Sequence, residues 1–494
     1  MDRIPVATGS SLTLSTPPSP NEGDKLTFHW TTDAPDAKNW VGIYDGTRQP
    51  GTGSSLLWKY TPGGSGDLTL DTSALTGGPY TAYLLAKDGY GILAQTAPFS
   101  FRPKPAVVPP HSAVDALTAT PVQPGGQVQV KLQGLWARPA GNAPGTPTFR
   151  KVSGDSWLSV SADGTVTGTA PGRPSARPAI VTVGVKDSTG ATDTVTVQVP
   201  VVEAKGKQQL KVASWNLWDA GTHSTDGFEK QLRVILTQGW DVVALQETAG
   251  TNAKALADAL GWYAYQSAGS VGVLSRYPLT AVTAVTAALP AAAVTVQLPG
   301  GRSVRLWTAH LDENSYGPYA IQDGQTPAQV LATETASLRY QQAQALLAAI
   351  KAEQSAQQAA QQAALHRGEH PAELIVAAEL SSPSHLDWTT ATHGAQFNWP
   401  VTEAVQAAGL TDSFREEHPD PAAFPGATWS PTRKQRGSKP EPQDRIDYVL
   451  YADSGRIELR EAHVIATGWP AADPNSAANG WPSDTAAAVS TFAL

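Results

Sequence analysis

Two periodicities meet near Leu210, and the change between them constrains this fold more than any other feature of the chain. Upstream, short runs alternate apolar and polar residues with period two, as half-buried strands do. Leu12-Thr13-Leu14-Ser15, Leu26 to Trp30, Trp40 to Tyr44 and Tyr80 to Leu85 are such runs, separated by turns such as Pro62-Gly63-Gly64 and Gly77-Gly78-Pro79. A second series follows in Trp157 to Ser161, Thr165 to Thr169 and Ile180 to Val185, closed by the turn Asp187-Ser188-Thr189-Gly190. Downstream of Leu210, strand-like runs alternate with helical spacing, which implies an α/β domain.

The joints between these regions read as linkers. Arg102 to Pro110 is proline-rich and semi-rigid. Glu203 to Gln208 is a polar hinge. The division is therefore a first β-sandwich over 1–103, a linker over 104–112, a second sandwich over 113–203 and an α/β domain over 209–494. The second sandwich carries no residues that suggest chemistry and reads as a spacer. With 44 glycines and 39 prolines in 494 residues, abundant loops and β-structure are expected.

Composition excludes several functions. There is no cysteine, so disulfides and thiolate metal sites are ruled out. A metal site must use carboxylate, amide or imidazole, which suits Mg²⁺ first, with Mn²⁺ or Ca²⁺ as alternatives. A formal charge of -8 gives no strong nucleic-acid footprint. No apolar run approaches the ~20 residues of a membrane span. Met1-Asp2-Arg3-Ile4-Pro5 lacks the basic start and apolar core of a signal peptide, so either a cytosolic protein or a mature secreted one is implied. The two sandwiches favour secretion, and a monomer is expected. Trp30, Trp40, Trp58, Tyr60 and Tyr90 either fill the first sandwich's small core or form a face for a cell-surface glycan; the first fate is the commoner one.

Within the α/β region, Phe228, Leu232, Ile235 and Leu236 have helical spacing, closed by Gly239. Asn252 to Leu260 reads as a second helix. Thr326, Pro327 and Gln329 form a capping box that opens one long helix ending near Gly368. Strand-like runs end in polar groups. Lys211 to Asn216 ends in an amide, Leu245-Gln246-Glu247 in a carboxylate and Thr308-Ala309-His310 in an imidazole. Leu374 to Glu379 is an apolar run ending in a carboxylate, followed by the turn-forming Ser381-Ser382-Pro383-Ser384. Asp444-Arg445-Ile446-Asp447-Tyr448-Val449-Leu450 reads as a strand opening with two carboxylates, with Arg445 and Asp447 on one face. Pro482-Ser483-Asp484-Thr485 precedes the last strand. Each feature alone is weak, since a lone strand-end Glu or Asn is more often a cap or a satisfied surface group.

In this order, the motifs resemble the endonuclease/exonuclease/phosphatase family, over residues 209–494. Tyr316-Gly317-Pro318-Tyr319, Leu338-Arg339-Tyr340-Gln341, Thr428-Trp429-Ser430-Pro431 and Ser382 to Trp388 are similar to a secreted bacterial branch of it. The first sandwich looks immunoglobulin-like, and the second resembles cadherin-like immunoglobulin repeats. The resemblance implies a four-layer α/β sandwich after two N-terminal all-β immunoglobulin-like sandwiches, with the site in a cleft at one end. It implies a divalent-metal phosphoesterase, with Glu247 as the main metal ligand and Asn216 in the metal shell. His310 would bond a phosphate oxygen or protonate the leaving group. Asp447 would orient an imidazole, and Asp484 would be the acid beside it.

Three positions depart from the family pattern. Glu379 stands where the family has the Asp that positions the attacking water. Ser381 stands where an Asn amide meets the phosphate, and Thr485 where a His does. Catalytic sites tolerate roughly 0.5 Å of misplacement, so impaired turnover is expected. The alternatives are a re-tooled hydrolase using Glu379 as its base, and a non-catalytic protein that binds a phosphorylated or glycan ligand.

Overall fold

The computed structural model describes residues 9–16, 20–46, 48–102, 108–139, 142, 145–203, 208–283, 289–367, 369–469 and 478–494. They fall into two units, Met1–Val107 and Val108–Leu494. The expected linker residues 104–107 and hinge residues 204–207 lie outside the described residues.

The N-terminal unit contains a three-stranded and a four-stranded sheet. Leu26–Thr31, Trp40–Asp45 and Tyr80–Ala86 are strands, as their alternation implied. Leu12, Phe28, Trp30, Val41, Ile43 and Leu84 share one core. The five aromatics divide between core and surface. Trp30 and Trp40 are buried, whereas Trp58, Tyr60 and Tyr90 are 54%, 42% and 54% exposed.

In the second unit, the described residues of 108–203 form further sheets, mostly antiparallel, including Pro147–Gly154 paired with Ala179–Asp187; Thr192–Val199 pairs with Ala116–Thr118 in parallel. This region is no detached spacer. Leu117, Val183 and Val197 belong to one core with Leu232 and Leu256 of two α/β helices and with Trp215. His111 Nε2 meets Glu229 Oε1 at 2.9 Å, and Arg276 Nη1 donates to the Thr118 carbonyl at 2.9 Å. Gly134 lies so close to the Ala259 backbone that a Cβ there would collide with it. The apolar surface that makes this contact follows ordinary strand alternation, so nothing local in the sequence distinguishes it from sandwich core.

The α/β domain is built on two six-stranded sheets. In the first, Gln209–Asn216 lies between Val242–Gln246 and Ala487–Ala493. In the second, Glu373–Glu379 lies between Ser303–Ala309 and Asp447–Tyr451. Period-two alternation sorts their side chains. Leu210, Val212, Val242 and Ala244 share an intersheet core with Leu306, Ile375, Ala377, Val449 and Tyr451. The opposite faces bury Ala213, Trp215, Val243 and Leu245 against helices Gly227–Gln238 and Asn252–Leu260. Leu374, Val376, Ala378, Tyr448 and Leu450 pack against Leu338–His366 and Pro400–Ala407.

Two local expectations change. The Thr326 capping box forms, but its helix stops at Ala336 and a new one begins at Leu338. Ser337 is extended and its hydroxyl accepts from Tyr340 N, so it caps the second helix instead of continuing the first. That helix ends at His366, and Gly368 lies outside the described residues. The strand expected from Asp444 begins at Asp447, because Arg445 is drawn to Asp387 and Asp412 before pairing starts. Among the described residues, no helix is long and apolar enough to cross a membrane.

Candidate functional site

Strand parity aims the site. Asn216, His310, Glu379 and Asp447 have the same parity as the intersheet residues Val212, Leu306, Ala377 and Val449. All four therefore point between the sheets, at the end where their strands stop or start. Glu247 follows the strand Val242–Gln246 and by parity would face the helices. A left-handed backbone at Glu247, φ 52°, turns it back. Trp218, Asp219 and Ala220 are left-handed in succession, with φ of 50°, 50° and 59°. This strained turn brings Asp219 N within 2.9 Å of Glu247 Oε2.

At the centre, Asn216 Nδ2 donates to Glu247 Oε1 at 2.7 Å and to Glu379 Oε2 at 2.6 Å. The Asn216 side-chain oxygen Oδ1 accepts from Trp218 N at 2.7 Å. His310 Nε2 lies 4.0 Å from Glu247 Oε1 and 3.7 Å from Glu379 Oε2. Its Nδ1 is 3.3 Å from Ser270 Oγ, and Nε2 is buried without a hydrogen-bond partner. Glu379 is directly opposite Asp447 across the strand pair, a like-charge arrangement that destabilises a sheet.

Glu379, Asp447 and Asp484 hold protons more tightly than usual. Burial raises Glu379, opposed by His310 and Asn216, while Glu247 and Glu313 add to the rise. Burial also raises Asp447 well above the carboxylate range, with Glu379, Asp484 and Glu247 reinforcing it against the Thr428 hydroxyl. Neither Asp447 oxygen has a hydrogen-bond partner. Burial pushes Asp484 up to about 7, against its contact with Arg433.

The donor set fits a divalent cation. Glu247, His310 and Glu379 each offer an atom within 4.8 Å of the others. In the tautomer that donates from Nδ1 to Ser270, His310 would present a bare Nε2 as a ligand beside the two carboxylates. Oxygen and imidazole ligands suit a hard or borderline cation. An uncompensated buried cluster of acids is costly, and a cation removes that cost.

The site residues read from the sequence fall into two groups. Asn216, Glu247, His310, Glu379, Ser381 and Asp484 line one cleft of about 1310 Å³. Asp447 and Thr485 do not line it and are almost fully buried. Ser381 donates its hydroxyl to the Leu311 carbonyl at 2.9 Å and lies 3.5 Å from Glu379 Oε1. Thr485 Oγ1 is 3.3 Å from Ser483 Oγ. The cleft also holds Trp218, Ser270, Trp429 and Arg433, which sequence reasoning did not assign. For Arg433 the signal was its place just after Thr428-Trp429-Ser430-Pro431.

The flank Ser382 to Trp388 proves structural. Asp387 accepts from Arg415 and from Arg445, whose Nε and Nη2 both lie at 3.0 Å. Asp444 accepts from Tyr316 OH and Trp388 Nε1, each at 2.8 Å.

Residues 213–368 match the family described as Endonuclease/Exonuclease/phosphatase. An uncharacterized protein of Caenorhabditis elegans is 30% identical over 257 residues, covering 49% of this chain and 78% of that protein. An endonuclease/exonuclease/phosphatase structure from Beutenbergia cavernae shares 18% identity over 58% of this chain and 72% of its own, with a TM-score of 0.36. An AP endonuclease structure from Leishmania major shares 14% identity over 58% of this chain and 88% of its own, with a TM-score of 0.35.

Proposed function

This chain belongs to the endonuclease/exonuclease/phosphatase family, and from that premise we propose that its cleft is a divalent-metal phosphoesterase centre with impaired turnover. The observation that carries the metal reading is the convergence of Glu247, His310 and Glu379 on one point. Glu247 and Glu379 would hold the cation with His310 Nε2, while Asn216 keeps the two carboxylates together. Mg²⁺ is the first choice for so oxygen-rich a set. When bound, such a cation offsets the charge that grows on a phosphate ester during hydrolysis. Two six-stranded sheets with helices on their outer faces support the family's four-layer sandwich, and the N-terminal sheets support an immunoglobulin-like reading.

The chain's own groups perform part of the work. Glu379 is placed to hold or release a proton beside the phosphate. Asp484 holds a proton near neutrality and lies against the cationic Arg433. Two groups do not contribute. Ser381 has one hydroxyl proton, and Leu311 O takes it. Thr485 is buried beside Ser483 and carries no charge. The donors that strengthen in a transition state are the ones missing.

The test compares wild type with Glu379→Asp, Ser381→Asn, Thr485→His on bis-p-nitrophenyl phosphate with Mg²⁺ or Mn²⁺. The triple variant should be faster by about 10²-fold or more. Equal rates would refute impairment, and no turnover in either would refute the phosphoesterase reading. Thermal stabilisation by ligand without turnover would favour the second reading, a phospho-ligand binder, which the inward-turned Ser381 and Thr485 support. The exposed Trp58, Tyr60 and Tyr90 rings support a glycan-facing role for the N-terminal unit of a secreted protein.

A further inference from the structure

The charge lining the cleft is one-sided. Seven acidic residues line it; Asp323 is paired with Arg436 and Lys439 and Glu334 with Arg339, and Asp219, Glu247, Glu313, Glu379 and Asp484 make up the rest. A single cation inside the metal cluster leaves most of that charge in place. Among the described lining residues, Arg433 is the one Lys or Arg. Nearby cations are already engaged. Arg436 and Lys439 both bond Asp323, and Lys434 Nζ donates to the Ser430 carbonyl and to Gln443 Oε1.

Arg433 is held differently. Its guanidinium is 52% exposed and makes one contact with Asp484, Nη2 to Oδ2 at 3.2 Å. It lies over the Trp429 ring at 5.2 Å. Its backbone is fixed, with N donating to Ser430 Oγ at 3.1 Å and O accepting from Gln443 at 3.0 Å. Ser430 Oγ in turn donates to the Asp484 carbonyl at 2.5 Å. A rigid loop thus carries a guanidinium with most of its donors unspent, at the wall of an acidic cleft. Arginine suits a phosphate because its planar fork bonds two oxygens at once.

We infer that Arg433 grips the substrate's phosphate and that the cleft selects an ester with one phosphate between neutral groups, not a polynucleotide backbone. This rests on the phosphoesterase reading and names the substrate class for it. A second or third phosphate would meet Asp219 and Glu313, both exposed and lining the cleft, with no arginine to receive it. Trp218, with His223 stacked on it, and Trp429, with Arg433 over it, are also in the lining and give the neutral flanking groups an aromatic wall. The cleft exceeds the ~300–1,000 Å³ common for small-molecule sites, so flanking groups of nucleoside size fit within it.

Calorimetric titration of the full chain with Mn²⁺ present tests this, using a dinucleoside monophosphate and a short single-stranded oligodeoxynucleotide as probes. The dinucleoside should bind at least as tightly as the oligonucleotide. Each additional phosphate contact would steepen the salt dependence by ~0.7 in log–log slope, so both probes should show a slope near that of one contact. Arg433→Ala should weaken the dinucleoside by about tenfold or more, with Arg433→Lys restoring part of the loss and both melting temperatures unchanged. Oligonucleotide binding more than tenfold tighter, with a steep salt slope, would overturn the inference. So would unchanged affinity in Arg433→Ala, or no binding of either probe. Turnover of bis-p-nitrophenyl phosphate separates the two readings. Binding through Arg433 without turnover sinks the hydrolase alone, and turnover indifferent to Arg433 sinks the grip alone.

Discussion

Two buried charge clusters stand on the same pair of strands and are handled in opposite ways. After Glu379 leaves its strand and before Asp447 begins the next, the chain builds Asp387, Asp412, Arg415 and Arg445 into a closed network. Burial tends to lower Arg445, but Asp387 and Asp412 outweigh it and hold the guanidinium charged. At the cleft, Glu379 and Asp484, with Asp447 buried behind them, have Asn216, His310 and Arg433 as their nitrogen partners, and both Asp447 oxygens are unpartnered. The first cluster is complete as folded. The second is short of positive charge, which the proposed cation would supply. A buried ion pair is a poor source of stability but an expensive thing to break, so the difference is measurable.

Arg445→Ala should give the largest effect. It strands Asp412, leaves Asp387 with Arg415 alone, and should cost about 3–5 kcal/mol in denaturant unfolding. If it costs no more than a change at Asp447, the contrast between the clusters collapses.

Metal comes next. Mg²⁺ or Mn²⁺ at about 100 times its Kd should stabilise wild type by ~2.7 kcal/mol. Glu247→Gln should remove most of that gain while Arg445→Lys, if folded, keeps it. Equal stabilisation of wild type and Glu247→Gln would place the cation elsewhere.

The pH dependence is a smaller test, made without metal. Glu379, Asp447 and Asp484 are raised in the folded protein, Asp484 to about 7. The folded state therefore binds more protons than the unfolded chain between the ordinary carboxylate pKa near 4 and about 7. Their contribution is fully present below pH ~4 and is lost as pH rises through the folded values. Unfolding free energy should fall from pH 5 to 8, and saturating Mg²⁺ should flatten that fall. A rise over the same interval would contradict the unpaired-acid description.

Asp447→Asn should have the smallest effect. Removing a charge with no partner should stabilise the metal-free protein at pH 8 by about 1 kcal/mol, against the usual destabilising trend of buried substitutions. A loss of more than that would mean Asp447 is satisfied in solution.

Much of this was legible in the residues themselves. Alternation places Asn216, His310, Glu379 and Asp447 on intersheet faces, and glycine and capping residues mark the ends of Gly227–Gln238 and the start of Pro327–Ala336. These are local rules: a side chain's direction follows from its neighbours' spacing, and a helix end from the groups that satisfy its backbone. What tertiary structure decided was partnership. It turned Glu247 into the cleft through a left-handed residue, gave Asp387 two arginines and Asp447 none, and put Arg433 at the wall. It also merged the core of the sheets before Leu210 with two helices of the α/β domain, where the sequence shows ordinary strand alternation. The physical reason is common to all four. The energy of a buried charge or an apolar face depends on which distant segment packs against it, and period-two or helical spacing carries no information about that segment.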